Sequence, residues 1–236
     1  MSDFKLSIER YLKEQSLIPT IDHLASMKPV SGGTINDAFL TKAIRVPKPI
    51  GVGELSNGAF IVIEAIKMRP LYDEALLGKQ LALMHLNRGS EKFGLAGDNF
   101  IGSTPQPNGW YENWVDFLHM RLEFQFKLAK LLLPAKINMM ASELLVRLPE
   151  FFKGIYVVPS LWGHHESELG IMRMFGGYSA EFYDAYHSHI PKAPGFDKRV
   201  MIYELYHVVN HYNIFGSYLD RCQSLLEGIL SNTQQQ

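Results

Sequence analysis

Cysteine is nearly absent: Cys222 is the single thiol in 236 residues. No disulfide can form within the chain, and zinc sites built on several thiolates are excluded. A reducing compartment is the simplest setting. A surplus of either charge is also missing. Lys and Arg number 23 against 24 Asp and Glu, a formal net charge of −1 at neutral pH, so the whole-chain charge does not draw it to phosphate backbones or anionic lipid. Neither nucleic acid nor membrane is an expected partner, and an anionic ligand must meet locally placed positive groups. Long apolar runs are lacking too: the stretch 128–137 is interrupted by Lys130 and Lys136 and falls short of the ~18 residues of a spanning helix. The N-terminal MSDFKLSIERYLKEQ is charged at short intervals, unlike the apolar centre of a signal peptide or an acid-free transit segment. Together these features predict a cytoplasmic protein.

What is there is an ordinary globular composition, 47% hydrophobic and 20% charged. A chain of this length buries roughly 70% of its unfolded surface and needs no covalent staple. Gly, Pro and β-branched residues dominate up to about Ile66, and helical stripes follow Leu71. Ser7 is placed to cap a helix running through Tyr11 and Leu12 to Gln15, with Glu9 in its first turn. Residues 28–41 read as two strands around Gly32-Gly33. A second hairpin has arms 44–52 and 59–66, joined by Glu54-Leu55-Ser56-Asn57-Gly58, where Asn57-Gly58 tolerates positive φ. Leu76, Leu77, Leu81 and Met84 keep a helical period between Asp73 and Gly89, which predicts a helix over 73–87. A loop is expected over 89–109. Helices are expected from Trp114 to before Pro134 and over 138–153, 179–188, 197–214 and 217–230, with a short strand at 154–158. No repeat of 20–50 residues is present.

Several groups of residues invite a chemical reading, each beside a plainer one. Gly51, Gly53 and Gly58 are spaced G-x-G-x4-G, but a strand follows instead of the helix whose amides hold a pyrophosphate, so a hairpin turn accounts for them. Ser31-Gly32-Gly33-Thr34 is either a bare turn or a flap whose backbone amides cover nucleotide phosphates. Six of the nine histidines follow residue 160. His207 and His211 are spaced i, i+4, with Val208 where a zincin has its general-base Glu, so they read as helix-face histidines rather than a metal pair. His164 and His165, beside Glu166 and Glu168, are either metal ligands or a solvated loop cluster. Trp110, Tyr111, Trp114 and Phe117, entered through Gln106, Pro107, Asn108 and Gly109, suit sugar or nucleoside contact by stacking and amide hydrogen bonding. The alternative, expected for Trp114 and Phe117, is a core aromatic stripe. No Gly-x-Ser-x-Gly elbow occurs and Cys222 sits in a helical stripe, so nucleophilic catalysis has no support.

The runs FGLAGDNFIGSTPQPNGWYENWVDF (93–117), GHHESELGIMRMFGGYSAEFYDAY (163–186) and LYHVVNHYNIFG (205–216) resemble the fructosamine-3-kinase family, also called ketosamine or protein-ribulosamine 3-kinases. VSGGTINDAFL (30–40) and IRVPKPIGVGELSNGAFIVIEAI (44–66) match the same family in order. The resemblance implies an α+β, protein-kinase-like two-lobe fold, with a truncated β-rich small lobe over 1–66 and a helical lobe over 67–236. It implies ATP and Mg²⁺ as cofactors. The implied substrates are ketosamines, on glycated protein lysines or as small molecules, whose phosphorylation at the sugar 3-hydroxyl makes the adduct unstable and releases the amine in protein deglycation. By the resemblance Gly32 and Gly33 lie in the phosphate flap, and Glu64, Ala65 and Ile66 form the hinge that meets adenine. Asn108, Trp110 and Trp114 belong to a signature near the substrate cleft.

The sequence departs from the family twice. Members carry, after the glycine-rich hairpin, a strand with the ATP-phosphate lysine and a helix with its partner glutamate. Here Leu40-Thr41-Lys42-Ala43-Ile44 runs straight into the next hairpin, and Lys42 lies at the junction. Members also carry His-Gly-Asp-Leu-Trp-x-Gly-Asn, with the catalytic base and a metal ligand, then an Asp-Pro-Ala metal site. Here Val158-Pro159-Ser160-Leu161 leads into Trp162-Gly163-His164-His165. Restoring both segments adds roughly fifty residues and gives a usual length for a two-lobe small-molecule kinase. No catalytic residue and no metal ligand is therefore assigned, and the Mg²⁺ site is expected to be lost. Three readings stay open: an impaired kinase or pseudokinase, a noncatalytic nucleotide- or ligand-binding remnant, and an incomplete gene product. Loss of an interior strand is expected to leave a free sheet edge through which two copies dimerise.

Overall fold

The computed structural model describes residues 10, 11, 14, 44 and 46–231, apart from 56–57, 68–69, 88–90, 130–131 and 158–162. The described residues fall into two compact units, up to Tyr72 and from Asp73 onward. In the first, β1 (Pro49–Leu55) and β2 (Gly58–Ile63) form an antiparallel ribbon. Leu55 pairs with Gly58, so both arms run closer to the turn than the expected five-residue connection allows. Residues 46–48, expected in the first arm, are not strand. Pro47 and Pro49 explain the late start, because proline has no N–H for a ladder, and the register slips between Pro49 and Gly51. Tyr11, helical like Arg10 and Glu14, sets its ring edge on Phe60 with centroids 5.1 Å apart. The hairpin expected at 28–41 lies outside the described residues.

The second unit opens with α1 (Glu74–His85) and four three-residue strands, β3 (Phe93–Leu95), β4 (Asn99–Ile101), β5 (Thr104–Gln106) and β6 (Gly109–Tyr111). Then come α2 (Trp114–Ala129), α3 (Ala135–Arg147), a 3-10 turn (Leu148–Phe152), α4 (Ser167–Met174), α5 (Ala180–His187), α6 (Phe196–Phe215) and α7 (Leu219–Leu230). Asp73 caps α1 as expected, its carboxylate accepting the Leu76 N–H at 2.7 Å. The buried face is Gly78, Leu81, Ala82, Met84 and His85, while Leu76 is exposed. Gly78 allows the close approach of α1 and α5: a Cβ there would stand 2.2 Å from the Phe182 carbonyl oxygen.

The expected loop at 89–109 is instead a nested pair of ribbons, β4 with β5 inside β3 with β6. Strands of three residues are too short to show a period of two. The strand expected at 154–158 does not form over 155–157, where no described strand pairs with the chain. An unexpected helix, α4, follows; it buries only Leu169 and Gly170, too few positions for a periodic signal. The core lies among α2, α3, α6 and α7, where Leu122, Leu144, Leu148, Ile202, Leu205, Val208, Val209 and Leu226 are completely buried, each contributing about 1.5–3 kcal/mol. A small sheet-bearing part and a larger helical part make this the α+β class expected.

Candidate functional site

Buried polar groups of the helical unit converge on residues 163–168, at the entrance to α4. The hydroxyl and N–H of Ser167 both donate to the His164 carbonyl, at 2.7 and 2.9 Å, closing a tight turn. Glu166, fully buried, accepts from Arg199 of α6 on both oxygens, Nε to Oε2 and Nη2 to Oε1, each at 2.7 Å. Arg199 is equally buried, and its Nη1 donates to the carbonyls of Pro194 at 2.6 Å and Phe151 at 3.3 Å. Burial raises the Glu166 carboxyl above its usual range and Arg199 pulls it back; a two-pronged pair with its remaining donors satisfied is the geometry in which both charges survive burial. The pairing depends on Gly170, where a Cβ would lie 2.6 Å from the Tyr203 carbonyl carbon. Its absence lets α4 lie directly on α6.

The same contact brings Tyr203 to His164. The His164 Nδ1 and the Tyr203 hydroxyl share a hydrogen bond of 2.7 Å, and the hydroxyl accepts the Trp114 Nε1–H at 2.8 Å. The part-buried His165 ring stands 4.5 Å from that of His164, nearly perpendicular. Among the described residues it has no hydrogen-bond partner. From α1, His85 shares hydrogen bonds with the Tyr186 hydroxyl at 2.8 Å and with Oε2 of the half-exposed Glu168 at 2.6 Å. Burial holds His164 well below the ordinary imidazole range and, with His85 nearby, takes His165 down to about 4. At neutral pH the cluster therefore offers two uncharged imidazoles beside a paired carboxylate. A ring nitrogen of His164, one of His165 and a carboxylate oxygen of Glu166 lie within 4.8 Å of one another, a grouping with no second instance among the described residues. The solvated-cluster alternative thus holds for Glu168 and fails for Glu166, because Arg199 supplies a buried partner.

The other residues singled out from the sequence have varied surroundings. Gly32 and Gly33 lie outside the described residues. Glu64, Ala65 and Ile66 follow β2 without regular structure, Glu64 donating its N–H to the Lys48 carbonyl at 2.8 Å. Asn108 is a hub for the nested ribbons: its N–H donates to Asp98 at 2.7 Å, its Nδ2 to Gly97 at 2.9 Å and Asn99 at 3.0 Å, and its Oδ1 accepts from Arg121. Trp110 on β6 is 45% exposed, whereas Trp114 and Phe117 are buried, the core stripe expected of them. His211 donates from Nδ1 to the His207 carbonyl at 2.9 Å, as a helix-face histidine does. Burial pushes the Cys222 thiol up to about 12, so it is no nucleophile. Sequence reasoning overlooked Arg199, Tyr203 and His85. For Arg199 a signal existed, a charge one residue before the apolar stripe of α6.

The family model described as Fructosamine kinase matches residues 34–161 and 153–232. The chain belongs to the fructosamine kinase family. It is 34% identical to ketosamine-3-kinase of Mus musculus, over 75% of this chain and 74% of that one. It is 30% identical to a Vibrio cholerae protein assigned as a ketoamine kinase, over 89% of this chain and 94% of the other. A Haemophilus somnus crystal structure assigned to fructosamine-3-kinase shares the fold, with a TM-score of 0.67 and 22% identity over 82% of this chain and 77% of that one. The fructosamine kinase match comes in two stretches that overlap at 153–161, just before the polar core. The Vibrio cholerae alignment runs over 270 residues although 89% of this chain is about 210, so about sixty positions are filled in that relative alone. A kinase family implies ATP with Mg²⁺, a hard cation that takes oxygen ligands in octahedral geometry. Two imidazoles and a single carboxylate do not fit that ion.

Proposed function

We propose that this chain is a fructosamine-kinase-family protein that no longer transfers phosphate and that acts by binding nucleotide or ketosamine. The observation that carries this reading is the junction after Leu161, where Val158-Pro159-Ser160-Leu161 leads into Trp162-Gly163-His164 with no His-Gly-Asp-Leu-Trp and no Asp-Pro-Ala segment between, next to the overlap of the two matched stretches. Phosphoryl transfer is positioning plus charge stabilisation by lysine, metal ion and base. Losing these together leaves binding and residual electrostatics, several powers of ten slower. Glu166 is no substitute, since Arg199 fixes it at the entrance to α4, and Glu168 is turned to His85; a catalytic metal bridge tolerates little misplacement.

We assign nucleotide contact to Gly32, Gly33, Glu64, Ala65 and Ile66, and ketosamine contact to the segment of Asn108, Trp110 and Trp114. Within that segment Trp110 is the ring that a sugar can stack on, while Asn108 and Trp114 position it. The ligands are small ketosamines and glycated lysines of the cytoplasm, so the chain's place in deglycation repair is that of a binder. Assay of the purified protein with ATP, Mg²⁺ and a small ketosamine tests this reading. The expected result is turnover at least about a thousandfold below that of a full-length family member, with a rise in melting temperature on adding ATP or the ketosamine. Near-family turnover would overturn the reading, and absence of both turnover and binding would favour the incomplete gene product.

A further inference from the structure

We propose that His164, His165 and Glu166 form a binding site for one divalent transition-metal ion of the zinc class. Its three ligands are none of the residues assigned above to nucleotide or ketosamine, although Trp114 stands behind His164 through Tyr203, and the proposal does not rest on those assignments.

The donor set comes first. Two imidazoles and a carboxylate suit Zn²⁺, Ni²⁺ or Cu²⁺ and disfavour Mg²⁺ and Ca²⁺. Their ligand atoms lie within 4.8 Å of one another. Zinc–ligand bonds of about 2.0–2.2 Å in a tetrahedron place ligand atoms about 3.3–3.6 Å apart, so the side chains must close by roughly 1–1.5 Å at most. His165 is the one free to do so, since it has no hydrogen bond to break among the described residues. It is also only part-buried, which gives the ion a way in.

The surroundings supply what a metal site needs behind its ligands. Tyr203, itself held by Trp114, fixes the His164 ring, and Arg199 fixes the Glu166 carboxylate. Such outer partners orient ligands and are part of the affinity. Arg199 does not by itself exclude a cation. Each Glu166 oxygen accepts one N–H from Arg199 and keeps a second lone pair. Glu168, against His85 beside the cluster, brings the formal charge of Glu166, Glu168 and Arg199 together to −1. Three protein ligands leave a fourth position for water. The ion would pin the first turn of α4 at the residues that follow the break in the family match.

Titration of the purified full chain with Co²⁺, followed by the visible absorption of tetrahedral cobalt and then by displacement with Zn²⁺, tests the site directly. The expected result is one ion per chain, released by Zn²⁺, with affinity at least tenfold lower in His165→Ala and in His165→Gln. His211→Ala, which removes one member of the i, i+4 pair on α6, should bind as the parent does. Circular dichroism of both His165 variants without metal should match the parent, because that ring makes no hydrogen bond among the described residues. The proposal is overturned by no binding below millimolar Co²⁺ or Zn²⁺, by undiminished binding in the His165 variants, or by equal loss in His211→Ala. Should His165→Ala misfold, the affinity of His165→Gln serves as the test in its place.

Discussion

Two polar clusters stabilise the helical unit, and they are built in opposite ways. Around Asn108 the side chain is saturated by neutral partners in the ribbons and by Arg121, whose guanidinium also lies 4.8 Å from the Phe117 ring centroid. Around Glu166 a full ion pair is buried, and next to it His165 keeps its hydrogen-bonding capacity unspent among the described residues. A saturated amide hub is what a structural staple requires, because every buried polar atom must find a partner. A buried charge pair is a costlier device, since desolvating each ion takes several kcal/mol. Spare ligand capacity therefore lies in the charged cluster, whereas beside Asn108 the exposed ring of Trp110 is what remains for a ligand.

The largest effect should come from disrupting the charged cluster. Arg199→Met strands a buried carboxylate, and urea unfolding should show a loss of about 3–5 kcal/mol, with most of it recovered when Glu166→Leu is added. A loss under about 1 kcal/mol would mean that the pair is solvated and that the two clusters do not differ in kind. Disrupting the neutral cluster should cost less: Asn108→Ala is expected to lose about 1–3 kcal/mol, and an equal or larger loss than Arg199→Met would reverse the ranking.

Acid probes the cost of buried polar groups through His207, whose Nδ1 is buried without a partner among the described residues. Burial, with His211 nearby, takes its pKa down to about 4 in the folded chain, against about 6.5 unfolded. The unfolded chain then binds the proton first. This contribution to stability is complete above about pH 6.5 and disappears as pH falls toward 4. Thermal melts at successive pH values should slope downward across that window, and the slope should flatten in His207→Gln. The smallest effect belongs to Trp110→Ala. Its ring is largely outside either cluster, so stability should change by no more than about 0.5 kcal/mol, while ketosamine-dependent stabilisation is lost. A large drop in melting temperature would make Trp110 a core residue instead.

Features that depend on neighbours a few positions away were legible in the residues alone: the Asp73 cap, the helical periods of α1, α2, α6 and α7, and the core stripe through Trp114 and Phe117. Packing settled the remainder. The nested ribbons have strands too short for a period to register, and α4 buries too little to announce itself. Which charge is buried also waited on packing. Glu166 and Arg199 are 33 residues apart in sequence, and nothing local distinguishes Glu166 from the half-exposed Glu168 two positions on. Caps and periodicity arise within one or two helical turns, whereas a buried ion pair exists only once Gly170 has let α4 settle on α6 and carried both charges out of water together.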